Sequence, residues 1–370
     1  LRRQRQMCIR DSCYGESIPS HLPGSQLTSK LQPIGVTAAV TPWNFPSAMI
    51  TRKAGAALAA GCPMIIKPAP ETPLSALALA KLAEEAGFPA GVFQVVTGDA
   101  AKLSKRLLER TEVRAFSFTG STEVGRILLR QSADTVKKVS LELGGHAPFI
   151  VFADAHVKAA AQGCIGAKFA TSGQDCLAAN RIYVHRSLYD SFVAEFTRLT
   201  QQLRVGHGLD DGVDIGPMTR VTVANKCRDH IGNAVSLGAR LMCGGLDNNL
   251  GSNFVLPTVL ADVTDEMDIA FEETFGPVAA ILPFDDEEDV IQRANKTEYG
   301  LAAYVYTNDL KRAVRVCDRL EYGMVALNTP KFTGAPIPFG GWKQSGLGRE
   351  GSKHGLAEYM ELKYVCVGGL

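Results

Sequence analysis

The chain has 370 residues, of which 46% are hydrophobic and 21% charged, so it can bury a large core and is expected to form more than one domain. Its 39 Lys and Arg against 38 Asp and Glu give a net charge of +1, which offers no general attraction to nucleic acid or to an anionic membrane. The longest nearly apolar stretch, 54–66, is too short to cross a bilayer. These features exclude disordered, collagen-like and coiled-coil classes and predict that partners bind at local sites.

Cysteine usage indicates a reducing compartment. The chain has nine scattered cysteines and no CxxC pair, and its size does not require disulfide staples. We therefore predict free thiols and a cytoplasmic protein, or a mitochondrial matrix protein if the source is eukaryotic. Residues 1–12 carry charges but no apolar segment, so they are not a signal peptide, and we set them aside as a candidate non-native leader.

From residue 34 onward, short β-rich runs alternate with longer helical runs. IGVTAAV, PMIIK, GVFQVV, AFSFT and VSLEL are predicted strands, with helices at 47–60, from Thr72 and Pro73 to Gly87, at 100–109 and at 122–131 between them. Strand and helix in alternation predict right-handed crossovers and a parallel sheet. Residues 34–143 are therefore predicted to form a doubly wound Rossmann-like domain that binds its ligand beyond the carboxyl ends of the strands.

The pattern restarts after Gly144. PFIVF and RIYV are predicted strands, with helices at 155–170 and 187–203, which indicates a second α/β domain. The C-terminal segment 356–370 contains EYMELKYVCV, a predicted strand that we expect to pair with another strand, for example one of a second subunit. The family resemblance given below implies the division into an oligomerisation arm at 13–33, a cofactor domain at 34–143, a catalytic domain at 144–355 and a C-terminal oligomerisation strand at 356–370.

Three residues suit acyl chemistry. Cys176 stands in the polar loop TSGQDCLAANR and is either a thiolate nucleophile, favoured by exposure and nearby dipoles, or a small buried hydrophobic residue, the usual role of a single cysteine. Glu142 ends the strand VSLEL at two glycines, where a carboxylate is either a base with a raised pKa or a buried partner of backbone amides. Asn44, held between Trp43 and Phe45 in TPWNFP, is either a rigid oxyanion donor or a turn residue.

Two segments suit a nucleotide. Gly120 and Ser121 lie where a strand turns into a helix, which suits a phosphate but equally suits an ordinary capped helix. Lys67 ends an apolar strand and either binds ribose hydroxyls or reaches water. The seven histidines show no ligand spacing and no GxSxG is present, so no metal site and no serine hydrolase is predicted.

Together these motifs resemble a known family. The order TPWNFP, IIKPA, FTGSTEVG, LELGG, GQDC, EETFGPV, NKTEYGLAA and PFGGWKQSGLGREG is similar to the NAD(P)-dependent aldehyde dehydrogenase superfamily. The similarity runs from about Tyr14 to Leu370. Within the superfamily the chain looks most like the succinate-semialdehyde dehydrogenase group. Because the family's chains begin upstream of the match to Tyr14, the resemblance also implies that an N-terminal part of the cofactor domain is missing.

The resemblance implies a role for each matching residue. Cys176 matches the nucleophile, Glu142 the general base, and Asn44 the side-chain half of an oxyanion hole completed by the Cys176 N–H. Arg52 matches a residue that binds the substrate carboxylate, and Lys53 and Glu361 match positions assigned to proton relay or support. The matching cofactor-binding positions are Trp43, Lys67, Gly120, Ser121, Glu273 and Phe275.

The implied reaction is oxidation of an aldehyde to a carboxylic acid with NAD or NADP, through a Cys176 thiohemiacetal and thioester. The implied partners are a small aldehyde, first succinate semialdehyde, and further copies of the chain in a homodimer or homotetramer. Another semialdehyde or small aldehyde stays open as substrate. So do a non-catalytic family member and a cofactor-free thioesterase using Cys176 and Glu142.

Three positions depart from the group. Ala170 stands where a second carboxylate-binding arginine is expected, and Ala178 replaces a second active-site cysteine. Pro70 stands where NAD-preferring members carry an acidic residue, so both cofactors are expected to work. Glu71 follows, but on an extended chain its side chain is expected to point to the other face.

Overall fold

The computed structural model describes residues 14–245 and 249–369. The candidate leader at 1–12 lies outside the described residues. The chain divides into two compact units. Of the described residues, the first unit holds 14–143, 333–340 and 346–369, and the second holds 144–245, 249–332 and 341–345.

The first unit is built on a six-stranded sheet. Its strands, numbered in chain order, are β3 (Val36–Val40), β4 (Met64–Lys67), β5 (Phe93–Val95), β6 (Val113–Thr119), β7 (Lys138–Glu142) and β15 (Gly346–Leu347). Their order across the sheet is β15-β7-β6-β3-β4-β5, and every pairing is parallel except that of β15 with β7. The accompanying helices are α1 (Pro46–Ala59), α2 (Pro73–Glu85), α3 (Ala100–Glu109), α4 (Thr122–Ala133) and α11 (Ser352–Ala357).

Both faces of this sheet are covered, as a doubly wound fold requires. Adjacent residues of a strand point to opposite faces, and Ala39 packs in a cluster with residues of α1 and α11 whereas Ala38 packs with residues of α3 and α4. Gly125 allows α4 to approach the end of β7, because a Cβ there would collide with the Leu143 side chain. The predicted parallel α/β domain is confirmed.

A separate three-stranded antiparallel sheet also belongs to the first unit. It has the order β1 (Glu16–Ile18), β2 (Ser25–Pro33) and β16 (Met360–Gly368). β16 pairs with β2 along its whole length, from Met360 opposite Pro33 to Gly368 opposite Ser25. The strand predicted at the end of the chain therefore forms.

The second unit contains a seven-stranded sheet. In chain order its strands are β8 (Ala147–Val151), β9 (Ala179–His185), β10 (Arg240–Cys243), β11 (Thr258–Ala261), β12 (Val278–Phe284), β13 (Ala302–Tyr306) and β14 (Met324–Leu327). The sheet order is β10-β11-β12-β9-β8-β13-β14, with only β10 antiparallel to its neighbour. The helices are α5 (Val157–Phe169), α6 (Tyr189–Thr200), α7 (Val221–Ser236), α8 (Asp268–Phe271), α9 (Glu287–Asn295) and α10 (Leu310–Arg319).

Two segments pack differently from the sequence prediction, which placed all of 144–355 in the catalytic domain. Residues 333–340 and 346–355 belong to the first unit. The reason is backbone pairing: Gly346 and Leu347 pair with β7, and Phe339 and Glu350 form a backbone bridge with each other. Among residues 14–245 and 249–369, no helix has both the length and the apolar character needed to span a membrane.

Candidate active site

In the first unit, the predicted site residues lie at the carboxyl ends of the parallel strands. Asn44 sits in the short loop between β3 and α1, and Pro46 occupies the first turn of that helix. The Thr41 N–H donates to the Lys67 carbonyl, 3.1 Å away, so the ends of β3 and β4 are tied together. The loop that carries Asn44 is thus fixed on both sides, as the flanking prolines predicted.

Glu142 is the last residue of β7 and is 2% exposed. Neither of its carboxylate oxygens has a hydrogen-bond partner among the described residues. Burial raises the pKa of this carboxyl well above its ordinary value, and the nearby Glu350 carboxylate raises it further, against opposing effects of Lys53, Arg349 and Arg52. A buried carboxylate with unused acceptor oxygens suits a general base more than the alternative, a partner of backbone amides.

Lys53 faces Glu350 rather than Glu361. Its Nζ lies 2.6 Å from Glu350 Oε1 and donates to Ser117 Oγ at 2.7 Å, and both members of the ion pair are almost completely buried. Glu361 lies instead on β16, exposed and opposite Gln32. The relay or support role matched to Glu361 stays a prediction, and the sequence did not single out Glu350, which lies in the Gly-rich motif PFGGWKQSGLGREG. The acidic residue following the basic one in GLGREG was the available signal.

Arg52 lies on α1, half-buried, with its guanidinium carbon 4.4 Å above the centre of the Phe339 ring. Its Nη1 is buried and has no hydrogen-bond partner in the described part of the chain. A guanidinium that is held by stacking and has an unused N–H donor can bind an anionic ligand.

Lys67 ends β4 and is 2% exposed. Burial lowers the pKa of its ammonium, while the carboxylates of Glu71 and Asp99 oppose that effect. Residues 69–72 form a turn, closed by a hydrogen bond from the Thr72 N–H to the Ala69 carbonyl at 3.2 Å. The chain is therefore not extended at Glu71, so the extended backbone from which its side chain was expected to point to the other face is not present.

Ser121 caps α4, with its hydroxyl accepting from the Val124 N–H at 3.4 Å. The preceding Gly120 donates its N–H to the Glu142 carbonyl at 3.1 Å, and a Cβ on Gly120 would collide with the Phe118 ring. The capped-helix alternative is thus present, and a phosphate-binding role for this helix start stays a prediction.

In the second unit, Cys176 occupies a tight turn between α5 and β9. The backbone leading into it is unusual: Thr171 and Ser172 have φ of 54° and 56°, and Gly173 has φ of 72° with a Gly276 carbonyl where its Cβ would be. Cys176 is a half-buried free thiol, whereas Cys62 and Cys164 are buried. The relative exposure of these cysteines agrees with the sequence argument.

Glu273 and Phe275 precede β12, and Phe275 adopts a φ of 57°. The Glu273 carboxylate accepts a hydrogen bond from the Gly145 N–H at 3.1 Å. Burial raises the pKa of Glu273 to about 7, an effect that the Gly145 hydrogen bond and the positive charges of Lys226 and Lys168 reduce. Gly145 also lies directly against the turn that holds Cys176, because a Cβ there would collide with the Cys176 carbonyl oxygen.

The comparisons with known proteins agree on one family. Residues 6–365 match the model of the aldehyde dehydrogenase family. An aspartate-semialdehyde dehydrogenase (non-phosphorylating) of Halomonas elongata is 56% identical over 96% of this chain and 72% of its own length. The succinate-semialdehyde dehydrogenase [NADP(+)] of Escherichia coli K12 and a glutarate-semialdehyde dehydrogenase of Pseudomonas aeruginosa are 54% and 52% identical, each over 96% of this chain and 74% of the relative.

Solved structures give the same result. An aldehyde dehydrogenase of Brucella melitensis biovar abortus superposes with a TM-score of 0.97 at 53% identity, covering 99% of this chain and 75% of that one. The NAD+ complex of a Bacillus cereus aldehyde dehydrogenase superposes with a TM-score of 0.94 at 39% identity, over 98% and 74%. The chain belongs to the aldehyde dehydrogenase family, whose chemistry uses a nicotinamide cofactor.

The first unit has features that fit such a cofactor. The Thr41 hydroxyl follows β3 and the Thr119 hydroxyl ends β6, and both are buried without a hydrogen-bond partner among the described residues. The Lys67 ammonium lies at the same edge of the sheet, beyond β4. Unsatisfied hydroxyls and an ammonium at the carboxyl edge of a doubly wound sheet are suited to the hydroxyl and phosphate groups of a dinucleotide.

Proposed function

We propose that the chain oxidises a short aldehyde that also carries a carboxylate, with succinate semialdehyde as the first candidate, and releases the dicarboxylic acid. The observation that carries the substrate class is Arg52, whose buried Nη1 has no partner while its guanidinium is held against Phe339. The three semialdehyde dehydrogenases named above support it, because each is named for an aldehyde that bears an anionic group.

The proposed reaction begins at Cys176. Its thiolate attacks the aldehyde carbon, and the resulting oxyanion is stabilised by the Asn44 amide and the Cys176 N–H. A nicotinamide cofactor held by the residues named below would supply the hydride acceptor. Loss of hydride leaves an acyl group on Cys176 as a thioester.

Glu142 completes the proposed cycle. Its carboxylate removes a proton from water, which attacks the thioester and releases the acid and the Cys176 thiol. The unpartnered oxygens and the raised pKa of Glu142 support this role. Trp43, Lys67, Gly120, Ser121, Glu273 and Phe275 are the residues proposed to hold the cofactor.

The binding of the carboxylate is proposed to be looser than in a two-arginine site. Ala170 is exposed and can provide no charge-assisted hydrogen bond. We therefore expect several lengths of semialdehyde to be oxidised.

The chain is further proposed to form a homodimer or homotetramer through the sheet of β1, β2 and β16. β16 pairs only with β2 within the described chain and exposes Leu362, Tyr364 and Val367. An unpaired strand edge with apolar side chains favours association. A reducing compartment such as the cytoplasm is proposed because the described cysteines are free thiols.

One experiment tests the chemistry. Wild type, Cys176→Ala and Glu142→Gln are each mixed with cofactor and succinate semialdehyde, and reduced cofactor and protein mass are followed. The assay uses the 370-residue chain and the same chain preceded by the N-terminal segment of the Escherichia coli relative. We expect turnover by wild type, none by Cys176→Ala, and a single burst with an acyl adduct on Cys176 in Glu142→Gln. An adduct on another residue, or no adduct in Glu142→Gln, contradicts the proposal.

A further inference from the structure

Tyr304 is joined to the turn that carries the proposed nucleophile. It lies on β13, is 2% exposed, and its hydroxyl donates to the Leu177 carbonyl at 2.9 Å. Leu177 directly follows Cys176. A side chain from β13 therefore hydrogen-bonds to the backbone next to the residue proposed to attack the substrate.

Two backbone N–H groups of this turn are held by Asp175. The Leu177 N–H donates to Asp175 Oδ1 at 2.9 Å, and the Ala178 N–H donates to the Asp175 carbonyl at 3.0 Å. Gly145 stands directly behind the Cys176 carbonyl oxygen. The Leu177 carbonyl instead accepts its hydrogen bond from Tyr304, and a carbonyl withdrawn from water without a partner is costly.

The Tyr304 ring is fixed by aromatic packing. It lies 5.6 Å from the Phe149 ring at an interplanar angle of 32°, and 5.3 Å from the Phe332 ring at 89°. Burial raises the pKa of its phenol well above the ordinary value, and the negative charges of Asp175 and Cys176 act in the same direction. The hydroxyl therefore keeps its proton and remains a hydrogen-bond donor.

We propose that Tyr304 is a positioning residue for acyl transfer: its hydroxyl fixes the Leu177 peptide and thereby the orientation of Cys176 and its N–H. This inference rests on the proposed function of Cys176. An oxyanion donor and a nucleophile must both be held within a fraction of an ångström, so loosening the neighbouring peptide slows the chemical step. Tyr304 itself is not proposed to contact the substrate.

Tyr306 provides a matched control on the same strand. It is also buried and also packs on Phe149, with ring centres 4.8 Å apart. Its hydroxyl abuts Gly163 and makes no hydrogen bond to any residue that the structure describes. Tyr304→Phe and Tyr306→Phe thus remove the same atom from the same strand, but only Tyr304→Phe removes a bond to the nucleophile turn.

The first measurement is amide hydrogen exchange of the peptide covering 175–180, which needs no enzymatic activity. In Tyr304→Phe we expect the Leu177 and Ala178 amides to exchange about tenfold faster than in wild type, the effect of losing about one buried hydrogen bond. Tyr306→Phe is expected to match wild type. Equal exchange in Tyr304→Phe and wild type, or equal acceleration in both variants, overturns the inference.

The second measurement compares the rate of the single turnover that forms reduced cofactor with the KM values for aldehyde and cofactor. Tyr304→Phe should lower the rate of that turnover about tenfold, while the KM values for aldehyde and cofactor change less than about twofold, because ground-state binding is not altered. A faster-exchanging turn with an unchanged turnover rate overturns the inference. Absence of an acyl adduct on Cys176 in the Glu142→Gln variant instead counts against the proposed function, and the exchange data still decide whether Tyr304 holds the turn.

Discussion

Lys53 and Glu350 form an ion pair inside the first unit, with 2.6 Å between Nζ and Oε1 and almost no exposed side-chain surface. Glu350 also acts on a second carboxylate, because its negative charge raises the pKa of Glu142. A residue 208 positions beyond Glu142 in the chain (350 − 142) therefore contributes to the ionisation of the proposed base.

Glu350→Gln should shift the acid limb of the pH profile, where the deacylation rate falls with falling pH, to lower pH. Glu142 acts only when it is deprotonated, so the rate falls as the pH falls through its pKa. Removing the Glu350 charge lowers that pKa, and the Lys53 charge left behind acts in the same direction. The hydrolysis rate of the acyl adduct, followed by mass spectrometry across pH, measures the shift. Glu361→Gln is the control, since Glu361 is exposed on β16, and it should cause no shift. An acid limb that stays in place or moves to higher pH in Glu350→Gln refutes the coupling.

Lys53→Met should destabilise the protein strongly. It leaves the buried Glu350 carboxylate without its ion-pair partner and Glu142 without the positive charge that most lowers its pKa, and breaking a buried pair by removing one partner costs about 3–5 kcal/mol. The exposed pair of Lys81 and Glu84 gives the control, because Lys81→Met should cost less than about 1 kcal/mol. Denaturant unfolding near neutral pH measures both. Similar losses of unfolding free energy in Lys53→Met and Lys81→Met would show that the buried pair stabilises the protein no more than the exposed pair does.

Arg52→Ala should weaken the oxidation of charged aldehydes more than that of neutral ones. Loss of a charge-assisted hydrogen bond, about 1.5–3 kcal/mol, should lower kcat/KM for succinate semialdehyde by about tenfold to a hundredfold, mainly through KM. Butanal has the same carbon number but no carboxylate, and it reports the structural cost of losing the stacking on Phe339. If butanal loses as much kcat/KM as the semialdehyde, Arg52 is structural and the semialdehyde proposal fails.

The sheet of the first unit could be predicted from the sequence because its signals are local. β-rich runs such as IIK and SFT end at Lys67 and Thr119, where the predicted strands end, and α3 spans the predicted 100–109. The seven-stranded sheet of the second unit followed the same alternation. The periodicity of hydrophobic residues, together with glycines and prolines at the element boundaries, was sufficient to predict these elements.

Long-range pairing could not be predicted in the same way. Glu350 reaches Lys53 only because the chain returns to β7 through Gly346 and Leu347, and no local pattern around Glu350 indicates this. Tyr304 gave no signal either, since a tyrosine within an apolar strand is predicted to be a core residue. Its hydrogen bond to Leu177 depends on which peptide faces its hydroxyl.

The turn after β4 means that cofactor preference cannot be predicted from residue 70 alone, because Glu71 also has to be considered. Pro70 and Glu71 are the two central residues of a turn closed between Ala69 and Thr72, rather than part of an extended chain. In this turn the Glu71 carboxylate is near enough to Lys67 to oppose the effect of burial on the pKa of that ammonium. Glu71 can therefore take part of the role that an acidic residue at position 70 would have.

We expect both NAD and NADP to be used, with a preference that residues 70 and 71 shift in opposite directions. Pro70→Glu adds an acceptor for the adenosine 2′-hydroxyl and repels a 2′-phosphate, so it should favour NAD by about 1–3 kcal/mol relative to NADP. Glu71→Gln removes a negative charge near Lys67 and leaves the ammonium free to pair with a 2′-phosphate, so it should favour NADP.

Parallel kcat/KM measurements with NAD and NADP at one ionic strength give the cofactor preference of each variant. The control is Glu84→Gln, an exposed change on α2. A wild-type protein that discriminates strongly for NAD and loses that discrimination in Glu71→Gln would assign the selection to Glu71. An unchanged ratio in both Pro70→Glu and Glu71→Gln would place cofactor selection outside this turn.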